Sequence, residues 1–381
     1  MGADIPHITI PPDLLPADGR FGSGPSKVRN EAVAALAGVA PGYLGTSHRR
    51  PGVRQVVGRV REGLGTLLAL PEGYEVLLGN GGATAFWDAA AFGLIETHSQ
   101  HLSFGEFSSK FAAVVRAAPH LDDPEVIESP AGTSPDAVHR AGVDAYALTH
   151  NETSTGVVAP VTRPRGEGVG GDALVLVDAT SAAGGVRVDP AEFDVYYFSP
   201  QKCLASDGGL WLAACSPAGV ERIERLAASG RWVPASLSLL LALENSRQNQ
   251  TYNTPALATL FLLAHQVEWF LGNGGLEWSA GRSEASSGIL YRWADEHPLA
   301  SPFVTDPARR SPVVATIDLD PAVDADVVSA VLRRNGVVDT ESYRKLGRNQ
   351  LRIACFPAVE PDDVALLIRA LDHVLATLTA P

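Results

Sequence analysis

The sequence predicts an α/β protein: a large domain with a mostly parallel, mixed sheet flanked by helices, followed by a smaller α+β domain at the C-terminal end. Three observations carry this expectation. Short apolar runs alternate with helix-patterned segments up to about residue 200. One of those runs, Ala173 to Asp178 (ALVLVD), is continuously apolar up to its closing aspartate, as a strand covered on both faces must be. After about residue 265 the texture changes to a helix, a turn-rich stretch and a strand–helix–strand–helix series. At 381 residues the chain is too long for one small core, so two domains are the natural division.

Residues 1–18 are Pro-rich and irregular and form an N-terminal segment; the large domain is expected over 19–265. Asn30 to Ala37 reads as a helix. Arg54 to Ala69 reads as a longer one, because Val56, Val57, Val60, Leu64, Leu67 and Leu68 recur at helical spacing. Tyr74 to Leu78 is a short strand, Gly79 to Gly82 break it, and Ala83 to Ile95 is an Ala-rich helix. Asp144 to Thr149, Ala173 to Asp178 and Asp194 to Phe198 are further strands. In the small domain, 266–381, Ser279 to Glu296 is a helix and Pro302 to Pro312 is rich in turns. Val313 to Leu319 is then a strand, Ala325 to Arg334 a helix, Leu351 to Cys355 a strand and Pro361 to Thr377 a last helix.

Composition removes several classes of function. A net charge of −13 argues against nucleic acid and anionic membranes as partners, but a small anionic substrate needs only a local cationic pocket. Cys203, Cys215 and Cys355 form no CxxC or Cys/His cluster, so neither a disulfide framework nor a metal site is expected, and a reducing cytoplasm fits. The start, MGADIPHITIPPDLL, lacks the basic and apolar regions of a signal peptide, and Pro6 stands where a myristoylation motif needs Ser or Thr. The apolar run Ala235 to Leu243 is too short to cross a bilayer.

Chemistry concentrates in a few places. The chain has four lysines, Lys27, Lys110, Lys202 and Lys345. Lys202 lies just past an apolar strand in a small-residue loop, where burial lowers a lysine's pKa and frees its amine to attack a carbonyl. Taken alone it reads more readily as a surface lysine in a loop, and the features that follow change that reading. Asp178 ends a buried strand and points to the crevice where α/β sheets bind ligands; a helix cap is the plain alternative. Gly79 to Thr84 joins a strand to a helix and offers backbone N–H groups to an anion, but matches neither GxGxxG nor a P-loop. His48, Arg49 and Arg50 in a glycine-rich loop read as an anion clamp or a solvated charge run. Arg352, between Leu351 and Ile353, needs a buried anion: a substrate carboxylate held bidentately, or an internal ion pair.

Eight motifs occur together in order: GRFGSGPSKV, GTSHRRP, the glycine turn before Ala83, HNETSTGV, VDATSAAGG, YYFSPQK, QNQTYNTP and LRIACFPA. Over nearly the whole chain this series resembles the phosphoserine aminotransferase family, a class V branch of the fold-type I pyridoxal-phosphate enzymes. The resemblance implies pyridoxal 5′-phosphate as cofactor, with Lys202 joined to its aldehyde and moving the proton. It implies Asp178 against the pyridine nitrogen, Phe107 stacked on the ring and Thr153 on the phenolic oxygen. Ala83, Thr84 and Gln201 would meet the cofactor phosphate, joined by Asn253 and Thr254 from the other subunit of a homodimer. His48 and Arg49 resemble the substrate-phosphate contacts, also from across that interface, and Arg352 the α-carboxylate contact. The chain departs from the pattern in two places. Ala83 stands where many relatives carry an Arg, and Lys345 near the place of a His. Arg50, Lys345 or Arg348 is expected to take over at the substrate phosphate.

The implied reaction is ping-pong transfer of an amino group between O-phospho-L-serine and 2-oxoglutarate, in serine biosynthesis and, in some bacteria, pyridoxine biosynthesis. One rival is another class V enzyme, a cysteine desulfurase or an alanine–glyoxylate or serine–glyoxylate type transaminase. A desulfurase needs a thiol on a mobile loop, and neither Cys203 nor Cys355 is so placed. The rival from another class is a non-enzymatic nucleotide-binding protein using Gly79 to Gly82.

Overall fold

The computed structural model describes residues 5–166 and 173–380. Met1 to Asp4, the start of the segment read for targeting signals, lies outside the described residues.

Helices α1 (Asn30–Tyr43) and α2 (Pro51–Leu67) come first, then β1 (Glu75–Asn80), α3 (Ala83–Gly93), β2 (Ser99–Ser103), α4 (Glu106–Ala117) and β3 (Glu125–Glu128). β4 (Ala145–Thr149) leads into a small hairpin, β5 (Asn151–Glu152) with β6 (Val157–Val158). β7 (Leu174–Asp178), β8 (Val195–Phe198) and β9 (Leu210–Cys215) follow, then α5 (Pro217–Ala228), α6 (Leu239–Arg247) and α7 (Leu257–Gly272). The C-terminal part consists of α8 (Gly275–Glu296), β10 (Ala300–Pro302), β11 (Val314–Leu319), α9 (Ala325–Arg334), β12 (Gln350–Ala354) and α10 (Pro361–Leu378).

The main sheet runs β1-β9-β8-β7-β4-β2-β3. Its strands from β8 to β3 are parallel, and β9 is antiparallel to both β8 and β1. Every residue of β4, β7, β8 and β9 is buried, as helices on both faces require. The expected mixed, mostly parallel sheet is therefore present, and the carboxyl ends of β4, β7 and β8 share one edge. β1 also ends at that edge, where Gly81 N donates to Gly209 O at 3.0 Å. Gly79 is needed here: a Cβ would lie 2.1 Å from the Trp211 ring.

Several elements escape a reading of periodicity. β2 is spelled SQHLS, yet Ser99, Gln100 and His101 are buried. Most of their polar groups find partners, Ser99 Oγ with His101 Nε2 at 2.9 Å and Gln100 Nε2 donating to Val138 O at 2.8 Å, while His101 Nδ1 has none. α1 runs on through Pro41 to Tyr43, well past Ala37. β10, not expected, ends at Pro302, the first residue of the stretch expected to be rich in turns.

Among the described residues three large apolar cores organise the molecule, the third packing Phe86 of α3, Phe111 of α4, Ile223 of α5 and Leu243 of α6 with the main sheet. The first includes Val56, Val60 and Leu64 of α2 packed on α7, together with one face of the sheet. The second gathers β11, β12, α9 and α10, and also Ile10 and Phe21 from the start of the chain. The expected division at 265/266 falls inside α7, whose residues as far as Phe270 belong to the first core. Among the described residues no helix is long and apolar enough to cross a membrane.

Candidate active site

A cavity of about 210 Å³ opens at the carboxyl edge of the parallel strands, the place where α/β sheets bind ligands. Asp178 ends β7 in its wall. Its carboxylate accepts from Trp87 Nε1 at 3.0 Å and from Thr180 N at 2.9 Å. Burial pushes its pKa up, and those two hydrogen bonds oppose the shift. Facing it is Lys202, whose Nζ donates to Ser23 O at 2.6 Å. The residue as a whole is only partly shielded from solvent, but the amine is packed under the Ser23–Gly24 backbone. Burial, and then the positive charge of Arg352, lower its pKa to about 8.

Arg352 arrives from β12, in the second core region. One guanidinium nitrogen donates weakly to Thr153 O at 3.4 Å, its centre lies 5.3 Å from the Tyr343 ring centroid, and its buried Nε has no hydrogen-bond partner. No carboxylate of the described residues forms an ion pair with it, which removes the internal-pair reading. Phe107, on the first turn of α4, forms another wall and touches Tyr343, ring centroids 5.9 Å apart. Its place is set by Glu152, a wholly buried carboxylate that accepts from the N–H groups of Phe107 and Ser108 at 3.1 and 2.8 Å. Thr153 Oγ1 donates to Ser181 Oγ at 2.8 Å.

α3 begins at Ala83 with Gly82 as a cap that supplies no side chain, so the N–H groups of Ala83 and Thr84 face the cavity unsatisfied by any cap. Beside them Gln201 Oε1, Thr180 Oγ1 and Asn151 Oδ1 are buried without partners. The residues fit a phosphorylated pyridine aldehyde: a helix N-terminus for the phosphate, a carboxyl for the ring nitrogen, hydroxyl and amide groups for the ring substituents and a lysine of lowered pKa for the aldehyde. Among the described residues no cluster could hold a metal ion.

Of the expected cofactor residues, Ala83, Thr84, Phe107, Thr153, Asp178, Gln201 and Lys202 all line this cavity. Asn253 and Thr254 do not. They gather with the basic loop at the surface: Thr254 Oγ1 lies 3.1 Å from His48 Nδ1, and Thr254 O accepts from Asn80 Nδ2 at 2.7 Å. Arg49 reaches Gln250 Oε1 at 2.6 Å and Tyr252 O at 3.3 Å, while Arg50 is exposed at the start of α2. Lys345 pairs with Glu106, the neighbour of Phe107. Arg348 pairs with Asp318 and lies over the Phe303 ring, away from the cavity lining. Trp87, Glu152, Thr180 and Ser181 carry structural or wall roles that the sequence reading missed. Only the spacing of VDATS and HNET around known site residues could have pointed to the last three.

Comparison with known proteins agrees with this geometry. The family profile described as aminotransferase class V matches residues 88–340. The phosphoserine aminotransferase of a Nocardioides species is 60% identical over 368 residues, covering 97% of this chain and 98% of its own length. The crystal structure of a phosphoserine aminotransferase from Cytophaga hutchinsonii aligns with a TM-score of 0.84 at 25% identity, over 93% of this chain and 99% of that one. A pyridoxal-phosphate-bound phosphoserine aminotransferase from Trichomonas vaginalis shares the fold, with a TM-score of 0.76 at 18% identity over 93% and 99% of the two chains. With a profile match over more than half its residues and a relative of that identity along both lengths, this chain belongs to the class V aminotransferase family.

Proposed function

We propose that this chain is a pyridoxal-phosphate-dependent transaminase. It exchanges an amino group between O-phospho-L-serine and 2-oxoglutarate, giving 3-phosphohydroxypyruvate and L-glutamate, a step of serine biosynthesis. One observation carries the reading: a lysine of lowered pKa and a buried carboxyl line a single cavity, and a half-buried arginine with an unpartnered Nε reaches the backbone of Thr153 in its wall. The choice of substrate is supported by the 60% identity to the Nocardioides phosphoserine aminotransferase.

When bound, the cofactor serves as an electron sink and carries the amino group from one substrate to the other. The chain's residues supply the rest. With a pKa of about 8, about a tenth of Lys202 is neutral at pH 7, against about one part in three thousand for an unperturbed lysine. That amine would take a proton from the substrate α-carbon and return it to the cofactor's former aldehyde carbon, on the far side of the shared nitrogen. Asp178, held by Trp87 and Thr180, keeps a proton on the pyridine nitrogen. Arg352 grips the α-carboxylate with its fork and so aims the α-hydrogen at Lys202. Phe107 covers the ring and excludes water.

The distal anion of either substrate needs cations at the cavity mouth. His48, Arg49 and Arg50 serve here from the partner of a homodimer, where Asn253 and Thr254 add to the cofactor-phosphate site; their place outside their own chain's cavity lining supports this. Lys345 is the same-chain candidate, because its partner Glu106 adjoins Phe107. Arg348 is committed to Asp318. A cysteine desulfurase is not favoured, since Cys203, Cys215 and Cys355 are all buried with thiol pKa values pushed up by burial. Reduced, buried cysteines suit the cytoplasm as the working compartment.

The test is an absorption spectrum of the purified protein, before and after O-phospho-L-serine, with alanine as control. Loss of the visible cofactor band with phosphoserine alone is expected. Loss with alanine or cysteine instead would leave a transaminase-type enzyme of another substrate. No band after added pyridoxal phosphate would remove the cofactor reading.

A further inference from the structure

The motif Gly19 to Val28 has no part in the chemistry described so far, yet it crosses the site. At one end Phe21 is wholly buried in the second core, its N–H donates to Val338 O at 3.2 Å, and its carbonyl accepts from Ala354 N at 2.9 Å. That last bond ties the strap to β12, the strand of Arg352. At the other end Ser26 N donates to Gln201 O at 2.8 Å, next to Lys202. Ser23 and Ser26 are buried between these anchors, so this is a fixed strap and not a surface loop. Its midpoint meets the lysine: Ser23 O accepts from Lys202 Nζ at 2.6 Å. A Cβ at residue 24 would stand 2.0 Å from Nζ and 2.9 Å from Cε, so only glycine lets the amine in.

We infer that this strap is a docking station for the free amine of Lys202, with Ser23 as a positioning residue through its carbonyl and Gly24 as the space that admits the amine. The inference rests on Lys202 being the lysine that alternates between the cofactor and a free state. A neutral amine has two N–H bonds and one lone pair. A backbone carbonyl only accepts, so it fixes one N–H and leaves the lone pair unengaged and aimed; a carboxyl side chain in its place could instead protonate the amine. Docking also removes rotamer freedom that a long side chain otherwise loses again at each return to the cofactor.

The test uses the full-length protein stripped of cofactor. Pyridoxal phosphate is added, and the rate of visible-band formation is followed across the titration range of the lysine. Two variants are compared with the natural chain. Gly24→Ala pushes the amine off the carbonyl. A chain made by cell-free synthesis with glycolic acid at position 24 turns the Ser23 carbonyl into an ester, a weaker acceptor, without adding a side chain. The natural chain is expected to form the band with a midpoint near pH 8. Both variants should form it about tenfold more slowly, the cost of a displaced reacting group. The ester midpoint should fall, because a carbonyl holds an ammonium more strongly than an amine. An unchanged unfolding midpoint of the ester chain then separates docking from folding. An ester chain equal to the natural one in rate and midpoint would overturn the docking station, even where Gly24→Ala does not fold. No band with the natural chain would overturn the reading of Lys202, and the inference with it.

Discussion

The cavity and the basic loop beside it handle charge in opposite ways. At the cavity Asp178 is buried and Lys202 is packed under backbone, and beside it Arg352 is half-buried, all with pKa values moved by burial. Arg352 keeps an Nε with no partner. In the loop, Arg49 and Arg50 are exposed, and His48 and Arg49 already hold Thr254, Gln250 and Tyr252. Buried groups lacking partners are costly unless a ligand completes them. The cavity is therefore a preorganised chemical site within one chain. The loop is a surface element that gains a role only where another surface meets it. On the proposed function, the interior would serve the cofactor chemistry and the exposed loop the distal anion of the substrate.

Substitutions can break this contrast, and the largest effect is expected at its buried centre. Lys202→Ala should remove the visible band and lower turnover at least about 10³-fold; a variant that kept the band would displace Lys202 from its role. Asp178→Asn should keep a band but reduce kcat about 10²-fold, since a neutral amide cannot stabilise a protonated ring nitrogen. Normal kcat there would break the pairing. Arg352→Lys retains charge but loses the fork, so KM for both substrates should rise about 30-fold with the spectrum unchanged. A loss confined to kcat would argue against carboxylate binding. Arg49→Ala should lower kcat/KM for phosphoserine about tenfold. Mixing it with Lys202→Ala should restore activity through dimers with one intact site, whereas no recovery would return the loop to its own chain.

The smallest effect tests the burial of the lysine itself. Lys202 titrates near 8 when folded and near its ordinary 10.5 when unfolded. Between those values the unfolded chain binds the extra proton, so stability of the cofactor-free protein should rise with pH across that window and stay level below it. In Lys202→Met that rise should vanish and the protein should be more stable at neutral pH, as urea unfolding would register. A pH dependence identical in the two proteins would mean the amine is in free contact with water.

Asp178, Lys202 and Arg352 were legible because each is a charged residue set against an apolar strand, a local conflict that function commonly explains. Trp87 was not: in an Ala-rich helix it reads as core, and its bond to Asp178 exists only because α3 packs across the end of β7. Glu152 was hidden for the same reason, its partners being the first N–H groups of α4, far away in sequence. Strand β2 was hidden because its polar spelling does not look apolar, and Gln100 finds its partner only at Val138, 38 residues on.

The sequence by itself determined the alternation of strands and helices and the placing of Lys202 and Asp178 at the ends of apolar strands, because periodicity and residue type act over a few neighbouring residues. The sheet order β1-β9-β8-β7-β4-β2-β3 was decided only in three dimensions. That order brings Asp178, Lys202 and Phe107 to one edge, lets β12 carry Arg352 to them and leaves His48 and Arg49 outside. Which distant groups meet depends on how the layers pack, and no local pattern encodes it.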